Sequence, residues 1–221
     1  MTDKPVCGRL PLIVRNHEGL YEGDLEHYFR LAFTAPNVRH PYHNFRHMCH
    51  VMVQCYDACA YHAGELSPRQ IRHLLIAALF HDFDHAGRPG NDEFNISIAI
   101  RALAQHLEDG DDFGEIARLV RTTEYPHQVP GEQLDLSAKI LRDADLSQAL
   151  SYVWLQDVVF GLSAELNVTP LEMLKKEVVF MQNLSFLTEW AHKRYPQSAI
   201  DAKIAEAKAL LDILEPPAAA A

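Results

Sequence analysis

The chain has 221 residues, 48% of them hydrophobic and 23% charged, with 12 Pro and 10 Gly. A domain of that size buries on the order of 70% of the surface its unfolded chain exposes, which excludes disordered, collagen-like and disulfide-stapled readings. Thirty acidic against twenty basic residues leave a net charge of −10, which repels phosphate backbones and argues against a nucleic-acid partner.

The stretch Met1 to Val14 holds only a short apolar run broken by Pro11, well under the roughly 18 residues of a membrane span. Neither a signal peptide nor a membrane anchor is expected. Cys7, Cys49, Cys55 and Cys59 form no Cys-x-x-Cys pair, so buried free thiols in a reducing cytoplasm are expected. No repeat or long linker divides the chain, and one domain spanning 1–221 is expected, with a frayed tail at 216–221.

Period-two alternation is scarce and helix punctuation recurs. The spacing predicts nine helices, near 24–33, 43–62, 68–83, 92–108, 113–124, 134–149, 151–165, 170–193 and 198–214, and hence an all-α fold. Ser67-Pro68-Arg69-Gln70 and Thr169-Pro170-Leu171-Glu172 each carry a capping hydroxyl, a Pro at the first helical position and a Gln or Glu three residues on. Asn91-Asp92-Glu93 opens the fourth predicted helix. In the third, Ile71, Leu74, Leu75, Ala78 and Leu79 form an apolar face, and Ile76 and Phe80 add bulk on the other side.

Eight of the thirteen His fall between residues 40 and 85. On a helix starting at His43, the residues His43, His47, His50 and Gln54 share one face, opposite Phe45, Met48, Cys49, Met52 and Cys55. The buried third helix ends in His81-Asp82-Phe83-Asp84-His85, and buried ionisable groups need a partner, for which a cation is the economical choice. Further on, Asp145 lies on the apolar face with Leu141 and Ala144. Asp143 points the other way, four residues from Lys139, and is expected to be a surface ion-pair residue. His47, His81, Asp82 and Asp145 thus offer two imidazoles and two carboxylates, a borderline N/O set for a first-row divalent ion, with positions left over for water.

His…His-Asp…Asp on an all-helical chain resembles the HD metal-dependent phosphohydrolase superfamily. Tyr42-His43-Asn44-Phe45-Arg46-His47 is similar to the YHNxxH of class I 3′,5′-cyclic-nucleotide phosphodiesterases, His81 to Gly87 to their HDxDHxG, and Ala144-Asp145-Leu146-Ser147 to their ADLS. Thr123-Glu124 is a weaker match to their Thr-Asp. The similarity covers about residues 41–190. It implies a compact helical HD fold and a small phosphorylated substrate, most simply a nucleotide. It also implies a tight metal (Zn, Mn, Fe or Ni) on His47, His81, Asp82 and Asp145, with Asp82 shared with a second, Mg or Mn. A metal-bridged hydroxide would attack phosphorus, His43 would protonate the leaving oxygen, and His85 would orient water or phosphate.

The family's acidic-His-His motif has no counterpart here. Its Gln-x-x-Phe purine clamp is replaced by Asn183-Leu184-Ser185-Phe186, so Asn183 and Phe186 are the expected substrate-binding residues. Two rivals share the metal set. One is a nucleotide phosphomonoesterase. The other is an HD-type diiron oxygenase using His85, His106 or His127 on the second metal. A non-enzymatic metal-binding domain is a third possibility. No P-loop, GxGxxG, GxSxG or HExxH is present.

Overall fold

Ser67 and Thr169 start two helices as their spacing predicts: each hydroxyl accepts from the third backbone N–H, and Gln70 or Glu172 reaches back to complete a capping box behind a Pro at the first helical position. The structure is a computed structural model that describes residues 10–88 and 92–215. Its order is α1 (Glu26–Phe33), α2 (Phe45–Tyr61), α3 (Pro68–Phe80), α4 (Asp92–His106), α5 (Phe113–Arg121), α6 (Leu136–Leu146), a π-helix (Leu155–Leu162), α7 (Ser163–Leu166), α8 (Pro170–Gln182), α9 (Glu189–Arg194) and α10 (Gln197–Leu214), with short 3₁₀ turns at Gly131–Gln133 and Ser147–Leu150. No strand occurs among the described residues, and no helix there is long and apolar enough to cross a membrane. The expectations placed on Cys7, Asn91 and the tail at 216–221 lie outside the described residues. Cys49, Cys55 and Cys59 are free thiols, and Cys55 and Cys59 are fully buried.

Helix α3 is the central element. Ile71 and the run from His73 to Phe80 are all buried, because α2, α5, α6, α1 and α4 pack around it. The main apolar cluster joins α1 to α6. A second cluster joins Trp154, Val158 and Val159 to Leu174, Val178 and Met181 of α8 and Ala207 of α10. Functional residues therefore emerge where the buried helix α3 runs out, between the two clusters.

The helix expected over 151–165 is a π-helix (Leu155–Leu162) running into the short α7, and three other differences from the predicted helices bear on the site. Helix α2 starts at Phe45, not His43, because the Asn44 side chain accepts from the backbone N–H of Arg46 and His47 and ends the preceding loop. His43 is thus held by a turn and not by a helix face. Helix α3 stops at Phe80; beyond it the chain turns, with Asp84 at φ +58°. The single helix expected over 170–193 is two, with a break at 183–188.

That break has a cause in Asp143, which corrects the surface ion-pair expectation. Asp143 is fully buried. Its carboxylate accepts from the backbone N–H of Leu187 and Thr188 and from the Thr188 hydroxyl, at 2.7–3.1 Å. The Thr188 hydroxyl then caps α9 through the Ala191 N–H. A helix running through 183–188 would consume those amides internally; the carboxylate offers a stronger acceptor instead. Burial pushes the Asp143 carboxyl up to about 6 despite these donors. Asp143→Ala strands two backbone donors and a hydroxyl, and is expected to destabilise the protein by about 2–4 kcal/mol, read from urea unfolding.

Candidate active site

The C-terminal end of α3 brings His81 and Asp82 against His47 of α2 and Asp145 of α6. His47 Nε2 lies 3.2 Å from Asp82 Oδ2 and 3.1 Å from Asp145 Oδ1. His81 Nε2 lies 3.1 Å from Asp82 Oδ2, 3.7 Å from Asp145 Oδ1 and 3.2 Å from His47 Nε2. The donor atoms of His47, His81 and Asp82 form one close group, which Asp145 joins from the side of the two imidazoles. Ligands about 2.1 Å from a shared ion stand about 3.0–3.5 Å from one another, so the separations and the donor types fit a first-row divalent cation.

The neighbouring charges agree. Burial opposes the charged form of both imidazoles, yet the two carboxylates outweigh it: His47 is raised to about 9, and His81 is raised as well. Burial opposes ionisation of Asp82 and Asp145 too, but the imidazoles hold both carboxyls below the usual range. The two carboxylates thus favour positive charge beside them. His81 is fixed by its Nδ1, 2.9 Å from the Ala78 carbonyl, which turns Nε2 inward. His47 Nδ1 has no hydrogen-bond partner among the described residues, and the ring is stacked on Tyr42, centroids 4.8 Å apart.

A second grouping adjoins the first. Donor atoms of His43, Asp82 and His85 lie within 4.8 Å of one another, so Asp82 belongs to both groups. The His43 and His85 rings stack with centroids 3.7 Å apart. Burial and the nearby His43 push His85 down to about 4.

Glu165, which carries no local sequence signal, completes the arrangement. One carboxylate oxygen bonds His43 Nδ1; the other accepts from the backbone N–H of Tyr42 and His43, at 2.9 and 3.1 Å. Hydrogen bonding to His43 holds Glu165 down at about 2 against its burial. Gly161 in the π-helix makes this approach possible, since a Cβ there would stand 2.7 Å from the Pro41 carbonyl oxygen. Asn37 is a second residue missed by sequence reasoning. Only 1% exposed, it donates to the carbonyls of His43 and Asp82, at 2.8 and 2.7 Å, and accepts from the Asp84 N–H at 2.9 Å. It clamps the two motif loops together.

A cavity of about 1200 Å³ opens beside the cluster, lined in part by Tyr42, Thr123, His127, Arg142, Asp145, Glu177, Phe180 and Asn183. The structure separates the two expected substrate-binding residues. Asn183 is exposed on the cavity wall. Phe186 is 4% exposed, stacked on Tyr195 at 5.3 Å within the main core, and does not reach the cavity. The Asp143 tether turns the chain there and carries Phe186 inward. His50 sits beside the cluster, Nε2 3.1 Å from the Ser147 hydroxyl. The His106 ring lies against Phe83, 6.4 Å between centroids, and His127 faces the cavity; neither joins a potential metal-holding group among the described residues.

Residues 42–109 match the family model of the 3'5'-cyclic nucleotide phosphodiesterases. Over that segment the chain resembles a phosphodiesterase. The match covers less than half of the sequence, and it contains both motif loops, His43 to His47 and His81 to His85. That family is metal-dependent, and the imidazoles and carboxylates at the end of α3 could hold a metal ion. No curated protein matches the chain. Asp145 and Glu165 lie outside the matched segment, yet they complete the geometry that the segment begins.

Proposed function

We propose that the whole chain forms one catalytic unit that cleaves a phosphodiester, most simply the ring of a 3′,5′-cyclic nucleotide. The observation that supports this best is the juxtaposition of the His47–His81–Asp82 group, with Asp145 against its imidazoles, the His43–Glu165 pair beside it and a large cavity that Asp145 and Tyr42 line. In this reading His47, His81, Asp82 and Asp145 hold the tighter cation, and Asp82 is shared with a second. When bound, divalent cations neutralise phosphate charge and lower the pKa of water, which a protein of charge −10 requires for such a substrate.

The protein's own part is proton handling and positioning. His43 shares a close group with Asp82 and His85, and with its Nδ1 engaged by Glu165 the nitrogen left to carry a transferable proton is Nε2. A proton on that nitrogen is the one a leaving alkoxide oxygen would take. Glu165 fixes the tautomer and stabilises the charged ring, while His85, kept neutral and stacked on His43, offers a neutral imidazole to water or a phosphate oxygen. Asn183 stands on the wall where the organic part of the substrate would lie.

Metal analysis of the native protein, joined to a screen of cyclic nucleotides, nucleoside monophosphates and bis(4-nitrophenyl) phosphate with added Mn²⁺, Mg²⁺ or Zn²⁺, tests the reading. A bound first-row ion and conversion of a cyclic nucleotide to its monophosphate, without inorganic phosphate, are expected. Inorganic phosphate released from nucleoside monophosphates would replace it with a phosphomonoesterase. Metal binding with no turnover on any substrate would remove the enzymatic reading altogether.

A further inference from the structure

Helix α8 turns Met173, Leu174, Glu177, Val178 and Met181 inward. Four of these positions are apolar, and the spacing calls for a fifth apolar residue where Glu177 stands. Glu177 is 6% exposed, and its Oε2 is buried with no hydrogen-bond partner among the described residues. The neighbouring Lys175 reaches away to Glu215, at 2.9 Å. Burial, with nothing to offset it, lifts the Glu177 carboxyl to about 7. A buried polar group without a partner is costly and in native proteins calls for an explanation.

The surroundings supply one. Glu177 lines the same cavity as Asp145 and Tyr42. Glu177 belongs to none of the potential metal-holding groups among the described residues. Much of the remaining wall, including Leu146, Val158, Leu162 and Phe180, is apolar. A mostly apolar wall that also carries Arg142, Asp145, Lys175 and Lys176, with one carboxyl oxygen lacking a hydrogen-bond partner, suits a ring that presents N–H groups.

We propose that Glu177 is the specificity-determining residue of the cavity, and that its carboxylate takes the paired N–H donors on the edge of a guanine-type base. The inference rests on the nucleotide reading above. Guanine offers a ring N–H and an amino group side by side, one for each carboxylate oxygen. Adenine offers an amino group beside a ring nitrogen lone pair, which faces an ionised carboxylate without a proton between them, so the discrimination belongs to the pH range above about 7 in which Glu177 is ionised. Sites that lose such a pairing discriminate strongly, because the buried group is then left unpaired.

The test uses the full, metal-loaded chain and its Glu177→Gln and Glu177→Leu variants. Three quantities are measured: kcat/KM for 3′,5′-cyclic GMP and 3′,5′-cyclic AMP, calorimetric affinity for GMP and AMP, and turnover of bis(4-nitrophenyl) phosphate. The wild type is expected to favour guanine by about tenfold or more. Both variants are expected to lose that preference with metal content and generic diester turnover unchanged, and Glu177→Leu is expected to melt higher than wild type. A wild type without guanine preference, or a preference that survives in both variants, overturns the proposal. Generic diester turnover with no affinity for GMP or AMP overturns the Glu177 assignment and leaves the phosphodiesterase reading standing. Guanine affinity lost in both variants of a protein that cleaves no diester supports the assignment and removes that reading.

Discussion

Asp82→Ala is expected to lose the bound metal and the activity in one step. Its carboxylate stands 3.2 Å from His47 Nε2 and 3.1 Å from His81 Nε2, and it is also the member common to the group with His43 and His85. Removing it deletes a donor from both groupings at once and leaves the two imidazoles with one counter-charge, Asp145. Metal catalysis contributes several kcal/mol, so turnover is expected to fall on the order of 10³-fold or more. The fold should survive, since the backbone carbonyl that Asn37 holds is untouched. Metal content by elemental analysis, turnover and the circular dichroism spectrum check the three parts. A variant that keeps a full equivalent of metal would remove Asp82 from the ligand set. His81→Ala should behave alike, because its Nε2 meets the same carboxylate and its other nitrogen only anchors the ring to Ala78.

His43→Ala is expected to separate what Asp82→Ala joins: metal content stays at the wild-type level while kcat falls about 10²–10⁴-fold, the usual worth of a general acid. KM should change little, because the imidazole acts on the leaving oxygen and not on the base. Glu165→Gln tests the other half of the pair. It keeps the shape and removes the charge that holds the ring, so it should lower kcat by a smaller factor, about tenfold, and move the pH profile of kcat. Wild-type kcat in His43→Ala on the best substrate would withdraw the general-acid role. An unshifted profile in Glu165→Gln would reduce that residue to a structural anchor for the Tyr42 and His43 amides.

The residues proposed to hold a metal are legible because they break a rule. His81-Asp82 ends a helix that is apolar on all sides, and Asp145 sits on an apolar face, so each needed a reason to be there. His43 joins Asp82 and His85 but sits on a different element from the one expected, since a cap at Asn44 is a competition between side chain and helix that periodicity does not register. Asp143 shows the opposite error. Its wheel position suggested solvent, but an acid on the far side of one helix can face a loop that returns from 44 residues away. The same tether divided the expected helix 170–193 and drew Phe186 into the core. Glu165 and Asn37 had no signal at all: each acts through bonds to loops distant in sequence, and a π-helix held against Pro41 by a glycine has no pattern of its own.

The bond between His43 and Glu165 spans 122 positions of the chain. Contacts of such separation are among the last to be rewarded during folding, because the intervening loop must first be closed. The helices α2 and α3, adjacent in sequence and packed on one another, can bring His47, His81 and Asp82 together early. The proton-handling pair can form only after the π-helix has docked on Pro41. In a refolding experiment, recovered turnover would therefore report the docking of the C-terminal elements, lagging behind the helical signal, and would serve as a built-in clock for completion of the fold.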